Sequence, residues 1–223
     1  MCDSMIVGKA ATVCDYTIFD KNSDRSPNEP QSMILIPAAD HAPGTMVQTT
    51  RIAVEQAAHT YAVMLSKPSW IWGGEIGINE KGVVIGNEAV ISKAMSTTDV
   101  ALLGMDVLRL ALERADTAEK AVNVIAELME RYGQGGNCSF DGVFHYDNAY
   151  LVADANEIWM WRRRASTSGQ PKRYSSRHTA SPTICPSMRS TGCIPMPSPT
   201  PGRQATGWKS PSTGAVLMPT GSL

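Results

Sequence analysis

The 223-residue chain lacks any run of about 18 apolar residues, so no membrane-crossing helix is expected. Its first residues also lack the charged-then-apolar layout of a secretory leader, and a cytoplasmic protein is expected. Cysteines are few and unpaired: Cys2, Cys14, Cys138, Cys185 and Cys193 never stand as C-x-x-C, which argues against a disulfide framework or a structural zinc site. His41, His59 and His145 lack metal-ligand spacing, and no metal is expected. No Lys-Ser/Thr follows Gly133-Gln134-Gly135-Gly136, so that turn is not a phosphate loop and no cofactor is indicated. The sharpest absence is of acid. Residues 162–223 hold no Asp or Glu and nine Lys or Arg, near +9, whereas residues 1–161 hold all 21 acidic residues against 11 basic ones, 11 − 21 = −10. Two differently composed segments share one chain. The basic tail has neither aromatic interleaving nor an amphipathic period, so neither a nucleic acid nor a membrane partner is expected.

What is present suits one sizeable core, with 43% hydrophobic residues in a chain long enough for one domain or at most two. Cys2-Asp3-Ser4-Met5-Ile6-Val7 and Tyr16–Phe19 read as two strands of a hairpin with Cys2 at its start, followed by a polar loop from Asp20 to Pro27. Met33–Ile36, Tyr61–Leu65 and Gly82–Ile85 read as further strands, separated by the turns Trp72-Gly73-Gly74-Glu75 and Asn79-Glu80-Lys81-Gly82. From about Val100 the period becomes helical. Thr117 opens a second helix with an Ala121, Val124, Ile125, Leu128 face, and Gly133 ends it. Phe144–Ala153 and Glu157–Trp161 return to strands, so a layered α+β domain is expected.

Cys2 carries the chemistry that the residues alone suggest. Once Met1 is removed, as a small second residue permits, one residue presents both a thiol and a free α-amine. Unperturbed, these groups titrate at roughly 8.5 and 7.7–8.0, so a modest shift puts both in working form near neutrality. The thiolate attacks a carbonyl, the amine passes the proton to the leaving group, and water releases the acyl group.

Several ordered blocks then carry a resemblance: Cys2-Asp3-Ser4-Met5-Ile6-Val7, Lys21-Asn22-Ser23-Asp24-Arg25, Trp70-Ile71-Trp72-Gly73, Gly77-Ile78-Asn79-Glu80, Gly86-Asn87-Glu88-Ala89, Ala101-Leu102-Leu103-Gly104-Met105-Asp106 and Arg131-Tyr132-Gly133-Gln134-Gly135-Gly136-Asn137. In order and spacing they resemble the secernin and cysteine dipeptidase family of N-terminal-nucleophile hydrolases. The resemblance implies an αββα sandwich and hydrolysis of a small peptide or amide through an acyl-enzyme on Cys2. By the same similarity Lys21 and Asp24 orient the nucleophile, Arg25 anchors a substrate carboxylate and Asn87 donates to the oxyanion. Trp70 and Trp72 are candidate pocket walls, although two Trp near a Gly-rich turn are at least as often core or rim packing. Cys14 and Cys138 read as ordinary small buried residues. The non-catalytic alternative is a secernin-like protein that binds partners in trafficking or secretion. Assembly into a homo-oligomer stays open.

After Trp161 the family would continue with Glu-Thr-Ala-Gly, Trp-Ala-Ala and later Ile-Ser-Asn, whereas this chain has Arg162-Arg163-Arg164-Ala165-Ser166. Permitted codons for residues 161–184, read in a shifted frame, recover those three blocks in order. Residues 1–161 are therefore read as a truncated hydrolase domain whose sandwich is incomplete at its C-terminal side. Residues 162–223, with nine prolines, are read as an out-of-frame and largely disordered basic tail. A chain so altered is a candidate inactive product, with exposed sheet edges and a half-covered core.

Overall fold

The computed structural model describes residues 2–13, 15–91 and 100–162 in full, and the backbone of 163–164, 167–174 and 216–218. Alternating burial sets the first two strands: β1 (Asp3–Val7) buries Ser4 and Ile6, and β2 (Thr17–Asn22) buries Thr17, Phe19 and Lys21. They pair as the expected antiparallel hairpin, with Ser4 opposite Lys21 and Ile6 opposite Phe19. The loop expected to start at Asp20 instead starts after Asn22, because the ladder continues to the Asp3–Asn22 pair.

A seven-stranded antiparallel sheet follows, built from β3 (Gln31–Ile36), β8 (Val63–Pro68), β9 (Ile76–Asn79), β10 (Val84–Val90), β11 (Asp147–Ala153), β12 (Ile158–Arg164) and β13 (Thr167–Tyr174). Its order is β13-β12-β11-β10-β9-β8-β3. Between β3 and β8 the chain makes two short ribbons, pairing β4 (Ala39–Asp40) with β7 (His59–Thr60) and β5 (Met46–Gln48) with β6 (Ala53–Glu55). The β1–β2 hairpin gains β14 (Val216–Met218) on the far edge of β2.

Helix α1 (Gly104–Arg114) and helix α2 (Ala118–Tyr132) cover one face of the large sheet. The Thr117 hydroxyl accepts a hydrogen bond from the Lys120 N–H at 3.2 Å, and Gly133 closes the helix at φ +68°, so both sequence signals for α2 hold. Helix α1 starts later than its periodicity suggests, since Leu102 bridges to Gln134 and Leu103 is the N-cap. None of the helices among the described residues is long and apolar enough to cross a membrane.

Two apolar layers result. Leu108, Leu112, Ile125, Tyr150 and Trp161 pack between helices and sheet, whereas Ile6 and Phe19 of the hairpin pack on Val84, Leu151, Ala153 and Ile158 on the opposite face. Each fully buried Leu, Ile, Val or Phe among them contributes roughly 1.5–3 kcal/mol. The hairpin covers only part of its face. One cross-strand row runs Leu35, Met64, Ile78, Val84, Ala153, Ile158. Its exposure falls from 75% at Leu35 and 38% at Met64 to 0% at Val84 and Ala153. The β3 end of the inter-sheet face is therefore open to solvent. The expected disorder of residues 162–223 falls mostly outside the described residues; within that stretch, the backbones of β13 and β14 are described.

Candidate active site

Glycine at position 86 lets the hairpin reach β10. A Cβ there would lie 2.9 Å from Phe19 Cζ and 3.4 Å from Lys21 Cδ, so its absence makes room for the aromatic ring and the lysine stem. Lys21 then runs its ammonium beneath the start of β1, where Nζ donates to the Asn87 carbonyl at 2.6 Å and to Glu88 Oε1 at 3.1 Å. Ser4, the cross-strand partner of Lys21, donates its hydroxyl to the same Glu88 oxygen. The Lys21 and Glu88 side chains are 0% and 2% exposed, a buried pair whose desolvation is offset by their mutual bond and by those to the Asn87 carbonyl and Ser4.

Cys2 stands at the entrance to β1, half-buried, and its thiol lines an open cleft of about 220 Å³. Asp24, Arg25, Ser26, Glu75, Cys138 and Tyr146 also line it. Burial pushes the Cys2 thiol up and leaves it above its ordinary value; Lys21 opposes this, Glu75 and Glu88 add to it, and the nearby Asp24 backbone N–H lowers it slightly. Asn22 Nδ2 donates to Asp24 Oδ1 at 3.1 Å, holding the turn that presents this N–H.

Arg25 forms the floor of the cleft's other side. Its Nε and Nη2 clamp Glu29 at 2.9 and 2.5 Å, Nη2 also donates to the Cys138 carbonyl at 3.1 Å, and Nη1 reaches Tyr146 Oη and Glu75 Oε1 at 3.4 Å each. Trp70 Nε1 donates to Glu29 at 2.7 Å. Burial lowers the guanidinium's proton affinity, but Glu29 and Glu75 more than offset this and hold it above its ordinary value. Cys138 is buried beside it, its thiol pushed up to about 11 by burial.

Of the residues singled out by sequence, Cys2, Asp24 and Arg25 meet in this cleft and Lys21 lies beneath it. Two do not join them. Along β10 side chains alternate, so Glu88 faces the hairpin while Asn87 points to the helix layer. There Asn87 Nδ2 donates to Asn148 Oδ1 at 2.7 Å, and the Asn87 N–H is taken by the Glu75 carbonyl at 3.1 Å. The expected oxyanion donor at Asn87 is thus turned away, and its carbonyl serves Lys21 instead. Trp72 likewise leaves the cleft: its ring packs against the helix-side core under the Arg109 guanidinium, 3.8 Å away.

Sequence reasoning passed over Glu75, Glu88, Glu29 and Tyr146. Glu88 was within reach, since the same alternation that turns Asn87 away selects its neighbour. Among the described residues no group of three His, Cys, Asp or Glu is placed to hold a metal ion. The arrangement can do nucleophilic chemistry: a thiol on an open cleft, with a buried cation that offsets part of the cost of ionising it.

Comparison with known proteins now bears on this geometry. The profile of peptidase family C69 matches residues 1–166. Among solved structures, a Cys-to-Ala mutant of conjugated bile acid hydrolase from Clostridium perfringens is similar at 15% identity and a TM-score of 0.50, covering 78% of this chain and 51% of that one. An Arg-to-Leu variant of the same hydrolase gives 14% identity and a TM-score of 0.51 over the same shares. The chain spans about half the length of these structures. At such identity the likeness concerns the fold: an α+β arrangement built on a large antiparallel sheet.

Proposed function

Because this chain belongs to peptidase family C69, we propose that it is built as a cysteine-type dipeptidase that hydrolyses small peptides through an acyl-enzyme on Cys2. The observation that carries this reading is the Cys2 thiol at the start of β1 on an open cleft it shares with Asp24 and Arg25, with the Lys21 ammonium opposing the rise that burial imposes on the thiol. With Met1 removed, the Cys2 α-amine takes the thiol proton. The sulfur forms a bond to the scissile carbonyl carbon, the C–N bond breaks, and the amine returns the proton to the leaving nitrogen. Water then attacks the thioester and restores the thiol.

On this reading Lys21 fixes the electrostatics from below, and Asp24 supplies the turn beside the thiol. Arg25 reaches the cleft, but its donors are committed to Glu29, Glu75, Tyr146 and the Cys138 carbonyl. A substrate carboxylate would have to displace one of these, so positioning Glu75 is the role this geometry favours.

A second reading, an inactive product, is favoured by the uncovered β3 end of the inter-sheet face. Intact mass and dipeptide turnover, measured on the chain with Cys2 and with Cys2→Ala, test both. The proposal expects loss of Met1 and turnover that falls at least about a thousandfold in Cys2→Ala. Turnover unchanged in Cys2→Ala overturns it, and no turnover from a folded, Met1-free chain favours the inactive product.

A further inference from the structure

Glu75 is a costly neighbour for a thiol nucleophile. Its side chain is 2% exposed and lines the same cleft as Cys2, and its negative charge opposes the thiolate that attack requires. Nothing described neutralises it through a short bond: Arg25 Nη1 and Gln31 Nε2 each stand 3.4 Å away, whereas charge-assisted bonds run to about 2.7–2.9 Å. Arg25 spends its short bonds on Glu29, and Lys21 is committed to the Asn87 carbonyl and Glu88.

The charge around the nucleophile is therefore unbalanced. Among the described side chains Lys21 and Arg25 face the carboxylates of Asp24, Glu29, Glu75 and Glu88, and with the α-ammonium that loss of Met1 leaves on Cys2 the sum is 3 − 4 = −1. Such a cleft favours a cationic ligand group. An unblocked peptide carries one in the right place, because its α-ammonium is a single Cα away from the first carbonyl.

We infer that Glu75 is the residue that receives the free α-ammonium of the substrate. This rests on the dipeptidase reading, which already implies an unblocked N-terminus, and names the group that recognises it. Pairing Glu75 with an incoming ammonium also removes the charge that opposes the Cys2 thiolate, so substrate binding and nucleophile activation are coupled. Arg25 holds the carboxylate pointed into the cleft without closing it off.

The test uses the full chain with L-Ala-L-Ala and N-acetyl-L-Ala-L-Ala. For the wild type, kcat/KM should favour the unblocked peptide by about a hundredfold or more, since a site built for a charged group rejects the analogue without it. In Glu75→Gln that ratio should collapse towards one, through KM for the unblocked peptide. Equal turnover of both peptides by the wild type, or an unchanged ratio in Glu75→Gln, overturns the inference. If neither peptide is turned over, calorimetric binding to Cys2→Ala decides separately: tighter binding of the unblocked peptide, lost when Glu75→Gln is added, supports Glu75, and equal binding or none overturns it. Turnover that survives Cys2→Ala sinks the nucleophile assignment but leaves the ratio as the judge of Glu75.

Discussion

Lys21 is the residue on which the hairpin and the large sheet meet. Its ammonium holds the Asn87 carbonyl and Glu88 where water does not reach, and Glu88 in turn holds Ser4. Lys21→Met keeps the stem and removes the charge, leaving Glu88 buried and uncompensated. The expected loss is about 3–5 kcal/mol, measured by denaturant unfolding, with part of it recovered when Glu88→Gln is added. A double variant no more stable than Lys21→Met would mean that the pair is not coupled. The Lys21 and Asp24 positions were legible only through the resemblance to the family, since a charged turn after an apolar strand is also what a solvated loop looks like. Which neighbour they would meet was not, because Glu88 is 67 residues away along the chain.

At the level of elements, helix α2 was the most readable part, since its cap, its apolar face and its glycine stop are all local signals. Thr117→Ala should cost about 1 kcal/mol by losing the bond to the Lys120 N–H, seen as a lower unfolding midpoint, and should not alter the Cys2 cleft. Strand β9 and the later start of α1 escaped because tertiary partners set them: β9 is held between β8 and β10, and Leu102 is drawn out of the helix by its bridge to Gln134. Gly86 shows the same dependence on partners. Gly86→Ala would push a methyl to 2.9 Å from the Phe19 ring, with an expected cost of about 1–3 kcal/mol by overpacking. Because the Lys21 stem shares that space, Cys2 alkylation by iodoacetamide should change as well; an unchanged rate would separate β10 packing from the cleft.

For the molecule as a whole, the telling feature is an apolar sheet face covered at one end only. Met33 at 65% exposure and Leu35 at 75% stand at its open end, away from the hairpin that buries Val84. Met33→Lys with Leu35→Lys should change stability by no more than about 0.5 kcal/mol, as for ordinary surface positions, while lowering the binding of a hydrophobic dye. A large stability loss would mean that this face is covered in solution.

The sequence by itself determined the hairpin carrying Cys2, the two helices and the break in composition after Trp161, because strand alternation, helix caps and charge balance are local properties, and its ordered motif blocks carried the family. Only the tertiary structure decided that Asn87 turns from the cleft while Glu88 faces the hairpin, that Trp72 packs under Arg109, and that Glu75 shares the cleft with Cys2. Those outcomes depend on register and on which layer packs on which face. A one-residue shift along β10 would exchange the two faces, and only the packed hairpin, with Gly86 beneath Phe19 and Lys21, fixes the choice.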